Sequence, residues 1–258
     1  KSWKKTSKAY VSINKNNKNK TILAFSMNKI GTIYNNLFSH SSLQYWWPVT
    51  KDNEIIPKYH KNIKLNEKQK LEICFGAILT QNTNWKNVEK AVVQLNKNNL
   101  IDINKILKIN NKKLAKIIKS SGYHNQKAKK LKNFCKHINK DHDNNLKKFF
   151  GNNIEKLRNE LLSINGIGPE TADSIILYAA KKPIFVVDAY AKRIINRIGF
   201  KEETYDELQT LFMSNLKKNE KLYNEYHALL VELGKNVCKI KPLCQNCPLE
   251  ESCNKNGI

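Results

Sequence analysis

Apolar residues recur at spacings of three and four along most of the chain, the period of a helix with one buried face. Leu71, Phe75, Ile78 and Leu79 form one such run, and Trp85, Val88, Val92 and Leu95 form the next. The same period returns in Leu114, Ile117 and Ile118, in Leu157, Leu161 and Leu162, and in Ile175, Ile176 and Ala179. A closing pair of helices is predicted from Leu208, Leu211 and Phe212 and from Tyr226, Leu229, Leu230 and Leu233. Gly122, Gly151, Pro183 and Gly199 fall between the runs, where breakers belong. Strict alternation is scarce. Residues 184–187 (Ile-Phe-Val-Val) are the one strand-like run, read as an extended lead-in to the following helix. The pattern predicts an all-α fold of many short helices, with no internal repeat.

The chain of 258 residues is 40% hydrophobic, enough for a sizeable core. No apolar run approaches the roughly 18 residues of a membrane span, so no membrane is expected. A formal net charge of +24 points to a polyanionic partner. Only Arg158, Arg193 and Arg197 are arginine, and asparagine is abundant, a skew that base composition alone can produce. Residues 1–26 hold seven lysines and no acid, and read as a basic low-complexity tail. The first methionine is Met27, so translation from there, an incomplete chain or an organellar leader are all open.

Two local patterns carry chemistry. The first is Leu161-Leu-Ser-Ile-Asn-Gly-Ile-Gly-Pro-Glu-Thr-Ala172. One helix ends, Gly166 and Gly168 permit a tight turn with positive φ, and Pro169 opens a second helix at its favoured first position. Ile164 and Ile167 would pin the turn to the core. The glycine amides beside a helix N-terminus suit one backbone phosphate, although a plain helical hairpin also uses such glycines. The second pattern is Cys238-x5-Cys244-x2-Cys247-x5-Cys253, four thiols within sixteen residues. That crowding reads as a metal site of a reduced, intracellular protein, and thiolate count alone leaves zinc and a [4Fe–4S] cluster open.

Gly166-Ile-Gly-Pro-Glu-Thr-Ala172, then Val187-Asp-Ala-Tyr190, then the cysteines, resembles the helix-hairpin-helix DNA glycosylases of the endonuclease III superfamily, over about residues 30–253. Tyr45-Trp-Trp-Pro48, Gly76-Ala-Ile-Leu-Thr-Gln-Asn-Thr-Asn-Trp85 and Tyr223-Asn-Glu-Tyr-His227 are similar to its endonuclease III-related branch, which includes 3-methyladenine glycosylases. The resemblance implies a two-lobed fold. One lobe is a helical barrel over residues 66–178 ending in the hairpin at about 155–180. The other joins residues 27–65 to 179–258 and carries the cysteines at 238–253.

The resemblance also implies roles. Asp188 is expected to face the sugar of a flipped nucleotide and stabilise the positive charge that builds as the N-glycosidic bond breaks, besides capping the helix Ala189–Ile198. Bifunctional members carry a Schiff-base lysine where this chain has Glu170, and a carboxylate forms no imine, so a monofunctional enzyme is expected. Trp46 and Trp47 match the aromatic pair around the base, whose ring faces suit a cationic methylated purine. Gln81, closing a helix over residues 70–80, matches the wedge that fills the gap left by the flipped base, and an ordinary helix-end glutamine is its plain alternative. Lys127, Lys129 and Lys130 are candidate phosphate contacts, as are Lys239 and Lys241 between the first two cysteines. The family places a [4Fe–4S] cluster on the four cysteines, with zinc the alternative. Its common spacing has six residues between the first two ligands, and this chain has five. His227 and Tyr226 read as core residues near the cluster.

The expected protein is thus a monomeric repair enzyme acting on double-stranded DNA with a damaged base, an alkylated purine such as 3-methyladenine. It would work in the cytoplasm or nucleoid, or in a nucleus or organelle. The alternatives are a bifunctional glycosylase and lyase acting on oxidised pyrimidines, and a noncatalytic DNA-binding module.

Overall fold

The computed structural model describes residues 28–258, so the basic leader lies outside the described residues. Among them are twelve α-helices and no strand beyond one isolated bridge, Val49 to Lys58. None is long and apolar enough to cross a membrane.

The abundant asparagines have a use. Asn28, Asn66, Asn84, Asn110, Asn145, Asn153 and Asn219 each cap a helix, the side-chain oxygen accepting from an amide of the first turn. Each supplies a partner to an N–H that has none within its helix. The cap of the helix beginning at Trp85 is Asn84.

By their contacts the helices fall into two groups. The first holds α2 (Glu67–Thr80), α3 (Trp85–Lys97), α4 (Ile103–Lys108), α5 (Asn111–Ile117), α6 (His124–His142), α7 (Leu146–Gly151), α8 (Ile154–Ser163) and α9 (Pro169–Ser174). The second holds α1 (Lys29–His40), α10 (Ala189–Ile198), α11 (Tyr205–Asn215) and α12 (Glu220–Asn236). Helix α9 continues into one π-helical turn, Ile175–Ala179, whose five residues are all buried and which packs on both α2 and α12. One apolar core therefore runs through both groups.

The hairpin joins α8 to α9. Ile164 and Ile167 are both buried, as the pattern predicted. Of the two, only Gly166 takes a positive φ, at +97°, and an added Cβ there would also lie 2.5 Å from the Lys130 side chain. Gly168 is extended, with φ −100°, and serves as the uncharged N-cap before Pro169. The expected pair of left-handed glycines is thus one.

Candidate active site

Residues 184–187 run extended and buried between the π-turn and α10. They deliver Asp188 to the N-cap of α10, where its Oδ1 accepts from the Ala191 amide at 2.8 Å. The carboxylate remains part of the wall of a pocket, shared with Trp46, Trp47, Trp85, Glu170, Tyr190 and His227. Capping and facing the pocket coexist in one side chain.

The two tryptophans lie in the loop between α1 and α2, and both reach the pocket. Their rings meet edge to face at 5.8 Å, and Trp47 meets Trp85 the same way at 5.3 Å. Gly76 on α2 lets Trp47 come this close, since an added Cβ would sit 3.2 Å from its ring. Hydrogen bonds fix the loop. Asn224 of α12 donates to the Trp46 carbonyl at 2.9 Å. Further on, the Thr50 amide donates to buried Glu72 at 2.8 Å, and Asn96 donates to the other Glu72 oxygen at 2.9 Å. Burial raises the Glu72 carboxyl, opposed by these bonds.

Glu170 stands across from Asp188 on the first turn of α9. Its carboxyl is raised from the ordinary value, first by lost solvation and then by the Asp188 charge, with His227 opposing. No amine occupies this position. The lysine that lines the pocket is Lys235, at the end of α12, a residue the sequence did not single out.

His227 is buried as expected, yet its place is the pocket, not the cysteine segment. Its Nδ1 shares a 2.5 Å hydrogen bond with the Tyr178 hydroxyl, and its Nε2 lies 3.6 Å from Asp188 Oδ2. Burial, then the Asp188 charge, holds the Tyr178 phenol well above its ordinary value, so the hydroxyl keeps its proton. Nε2 is the ring nitrogen on the Asp188 side. That Nε2 is buried and has no hydrogen-bond partner. The signal for this role is three-dimensional: Tyr178 and His227 are 49 residues apart.

Gln81 is the C-cap of α2, beside the hairpin. Its Nε2 donates to the Gly166 carbonyl at 3.0 Å and to Thr171 Oγ1 at 2.9 Å, while Lys130 donates to its Oε1. The side chain is folded onto the hairpin, and reaching into a duplex means giving up these bonds.

Lys127 is no phosphate contact. It is 2% exposed, and its ammonium donates to the carbonyls of Leu79 and Ser121 at 2.8 and 2.6 Å. It satisfies the last carbonyls of α2 and of the turn before α6, while neighbouring Lys129 stays exposed. Burial, then the charge of Lys130, lowers Lys127 to about 8. Below that pH both folded and unfolded chains hold the proton; above it only the unfolded chain does, up to its ordinary value near 10.5. Stability therefore gains a component that rises with pH between those values. Urea unfolding of wild type and Lys127→Met at pH 8 and pH 10 should show the gap widening in favour of wild type at the higher pH. Parallel curves would show that the buried amine does not titrate there.

The four cysteines follow α12. The backbone amide of Cys238 donates to Leu233 at 2.8 Å, and that of Cys247 to Cys244 at 2.9 Å. Arg193 Nε donates to the Cys238 carbonyl at 3.0 Å, and Arg197 donates to the carbonyls of Lys239 and Ile240 and to Cys238 Sγ at 3.3 Å. The guanidinium fork suits such multiple contacts. Lys239 and Lys241 are exposed on this segment. Burial, then the neighbouring thiols of Cys238, Cys253 and Cys244, pushes the Cys247 thiol up. Four thiols in one segment are a donor set that suits either zinc or a [4Fe–4S] cluster, each of which takes four thiolates.

A helical hairpin next to a cleft bearing an aspartate at a helix start defines a class of base-excision enzymes. The chain belongs to the HhH-GPD superfamily of base excision DNA repair proteins, whose family model matches residues 75–218. It is a DNA N-glycosylase. Over 232 residues it is 43% identical to a protein of Methanocaldococcus jannaschii named as a DNA repair glycosylase, covering 86% of this chain and 94% of that one. The crystal structure of the Helicobacter pylori 3-methyladenine DNA glycosylase bound to 1,N6-ethenoadenine is 30% identical, with a TM-score of 0.64, covering 79% of this chain and 96% of that one. A trapped endonuclease III–DNA covalent intermediate, 20% identical with a TM-score of 0.67 over 89% and 97% of the two chains, shares the fold. Membership in this family removes the noncatalytic alternative.

Proposed function

We propose that this glycosylase is monofunctional and removes an alkylated purine, of which 3-methyladenine is the type, from double-stranded DNA. One observation carries the reading: Asp188 and Glu170 face a single aromatic-walled pocket in which a carboxylate holds the place of a nucleophilic lysine. Electron-rich faces of Trp46 and Trp47, together with two acidic groups, favour a base that carries positive charge. Such a base leaves readily, so the site needs no strong general acid. The resemblance to the Helicobacter pylori enzyme supports the same substrate class.

In this mechanism the amides of Gly166 and Gly168 and the side chains of Lys239 and Lys241 hold backbone phosphates. The damaged nucleotide leaves the stack, at a cost lowered by its weakened pairing, and its base enters the pocket that the tryptophans line. Gln81 trades its bonds to the hairpin for contacts in the vacated gap. As the glycosidic bond lengthens, positive charge grows on the sugar, and the Asp188 carboxylate stabilises it. The same carboxylate takes a proton from the attacking water, and the Ala191 amide fixes its orientation. Cys238, Cys244, Cys247 and Cys253 would hold a [4Fe–4S] cluster, which supplies thiolate–iron bonds that order the C-terminal segment.

Lys235 keeps a second reading in view, since a lyase acting on oxidised pyrimidines needs an amine at the pocket. Duplexes bearing methylated purines, oxidised pyrimidines, uracil or mismatches, analysed with and without alkali, separate the two. Release from the methylated purines with strand breaks only after alkali is expected. Breaks without alkali, with a borohydride-trapped adduct, would overturn the monofunctional assignment.

A further inference from the structure

Away from the pocket of Asp188, and sharing no residue with it, two imidazoles and a carboxylate converge between the end of α6 and the middle of α8. Nε2 of His137 lies 2.8 Å from Glu160 Oε1, and Nε2 of His142 meets the same oxygen. These three atoms lie within 4.8 Å of one another. The surrounding groups are arranged as they are around a metal: His137 Nδ1 faces Asp141 Oδ2 at 3.1 Å, and Asn152 donates to the second Glu160 oxygen at 3.1 Å. His142, 7% exposed, has a buried Nδ1 with no hydrogen-bond partner. An open depression lined by His142, Glu160, Asn153 and Asn159 gives access from solvent.

We propose that His137, His142 and Glu160 form a second metal site, for a divalent transition ion of the zinc type. Zinc bonds of 2.0–2.1 Å to nitrogen and oxygen put tetrahedral ligand atoms about 3.3 Å apart, so the Glu160 oxygen has to draw back from both imidazoles to admit the ion. Two imidazole lone pairs and one carboxylate oxygen form the bonds, and any proton on either Nε2 passes to solvent. Asp141 then accepts from His137 Nδ1–H, the carboxylate–histidine–metal arrangement that fixes the ring and raises its basicity. A water from the depression completes the shell. Neutral imidazole and carboxylate suit zinc, nickel or copper and give little hold on magnesium or calcium. The ion would tie the last turns of α6 to α8, the helix that leads into the hairpin, and so brace the hairpin against the barrel.

The test is zinc titration of the full chain with its C-terminal cysteines iron-loaded, read by competition with a chromophoric chelator and by the thermal midpoint. One zinc per chain and a raised midpoint are expected. Glu160→Gln and His142→Ala should each weaken zinc binding on the order of 100-fold and abolish the thermal shift, and Asp141→Asn should weaken it about 10-fold. Cobalt in place of zinc should give the visible absorption of a four-coordinate ion, lost in Glu160→Gln, a near-isosteric change that keeps the fold. Absence of zinc binding by wild type, or binding that persists unchanged in Glu160→Gln, overturns the proposal.

Discussion

Replacing Asp188 by Asn is expected to slow base release on the order of 10³-fold while leaving the protein folded and bound to DNA. The substitution separates the two tasks that this side chain performs. Asparagine caps a helix as well as aspartate does, and its Oδ1 can keep the 2.8 Å bond from the Ala191 amide, so α10 retains its start. What disappears is the negative charge at the pocket wall and the basic oxygen that takes a proton from water. Removing a charge that faces a polyanion also lifts a repulsion, so affinity for undamaged duplex should hold or rise. Single-turnover release from a duplex carrying the preferred lesion measures the first effect, and salt-controlled binding measures the second. A mutant within about 10-fold of wild type would move the chemistry elsewhere in the pocket, with His227 and Glu170 the next candidates.

Short-range patterns made much of this site legible. The hairpin, its two isoleucine anchors, the extended run before Asp188 and the cysteine spacing each lie within a stretch where neighbours in sequence are neighbours in space. The tryptophan pair was legible through resemblance, and the structure shows how it is held, by Gly76, Asn224 and the Glu72 network from three different helices. Long-range contacts decided what the sequence could not. Lys127 belongs to a lysine-rich run like any exposed one, and only the carbonyls of Leu79 and Ser121 mark it as internal. His227 has a core pattern on α12, and its meaning comes from Tyr178 and Asp188. The compositional skew also hid information. With lysine so abundant, the three arginines stand where a fork of donors is needed: Arg193 and Arg197 on the cysteine segment, Arg158 on a buried carboxylate.

That last arginine supports the second large effect. Asp173 is fully buried on α9, and Arg158 of α8 grips both its oxygens, through Nε at 2.8 Å and Nη2 at 3.2 Å. Tyr205 and Gln209 of α11 each donate to Oδ2 at 2.7 Å, and Gln209 also donates to the Phe185 carbonyl. One carboxylate therefore joins the helix that bears Glu170 to the run that delivers Asp188. Arg158→Met keeps the bulk and removes the countercharge, leaving a buried carboxylate with two neutral donors. A loss of about 3 kcal/mol is expected, the low end for an uncompensated buried charge because Tyr205 and Gln209 remain. For a chain of this size that lowers the thermal midpoint by roughly 6–12 °C. Adding Asp173→Asn should recover part of the loss, since the amide needs no countercharge and its oxygen can still accept from α11. A single mutant within about 2 °C of wild type, or a double mutant less stable than Arg158→Met, would mean that apolar packing alone sets the distance between the two pocket carboxylates.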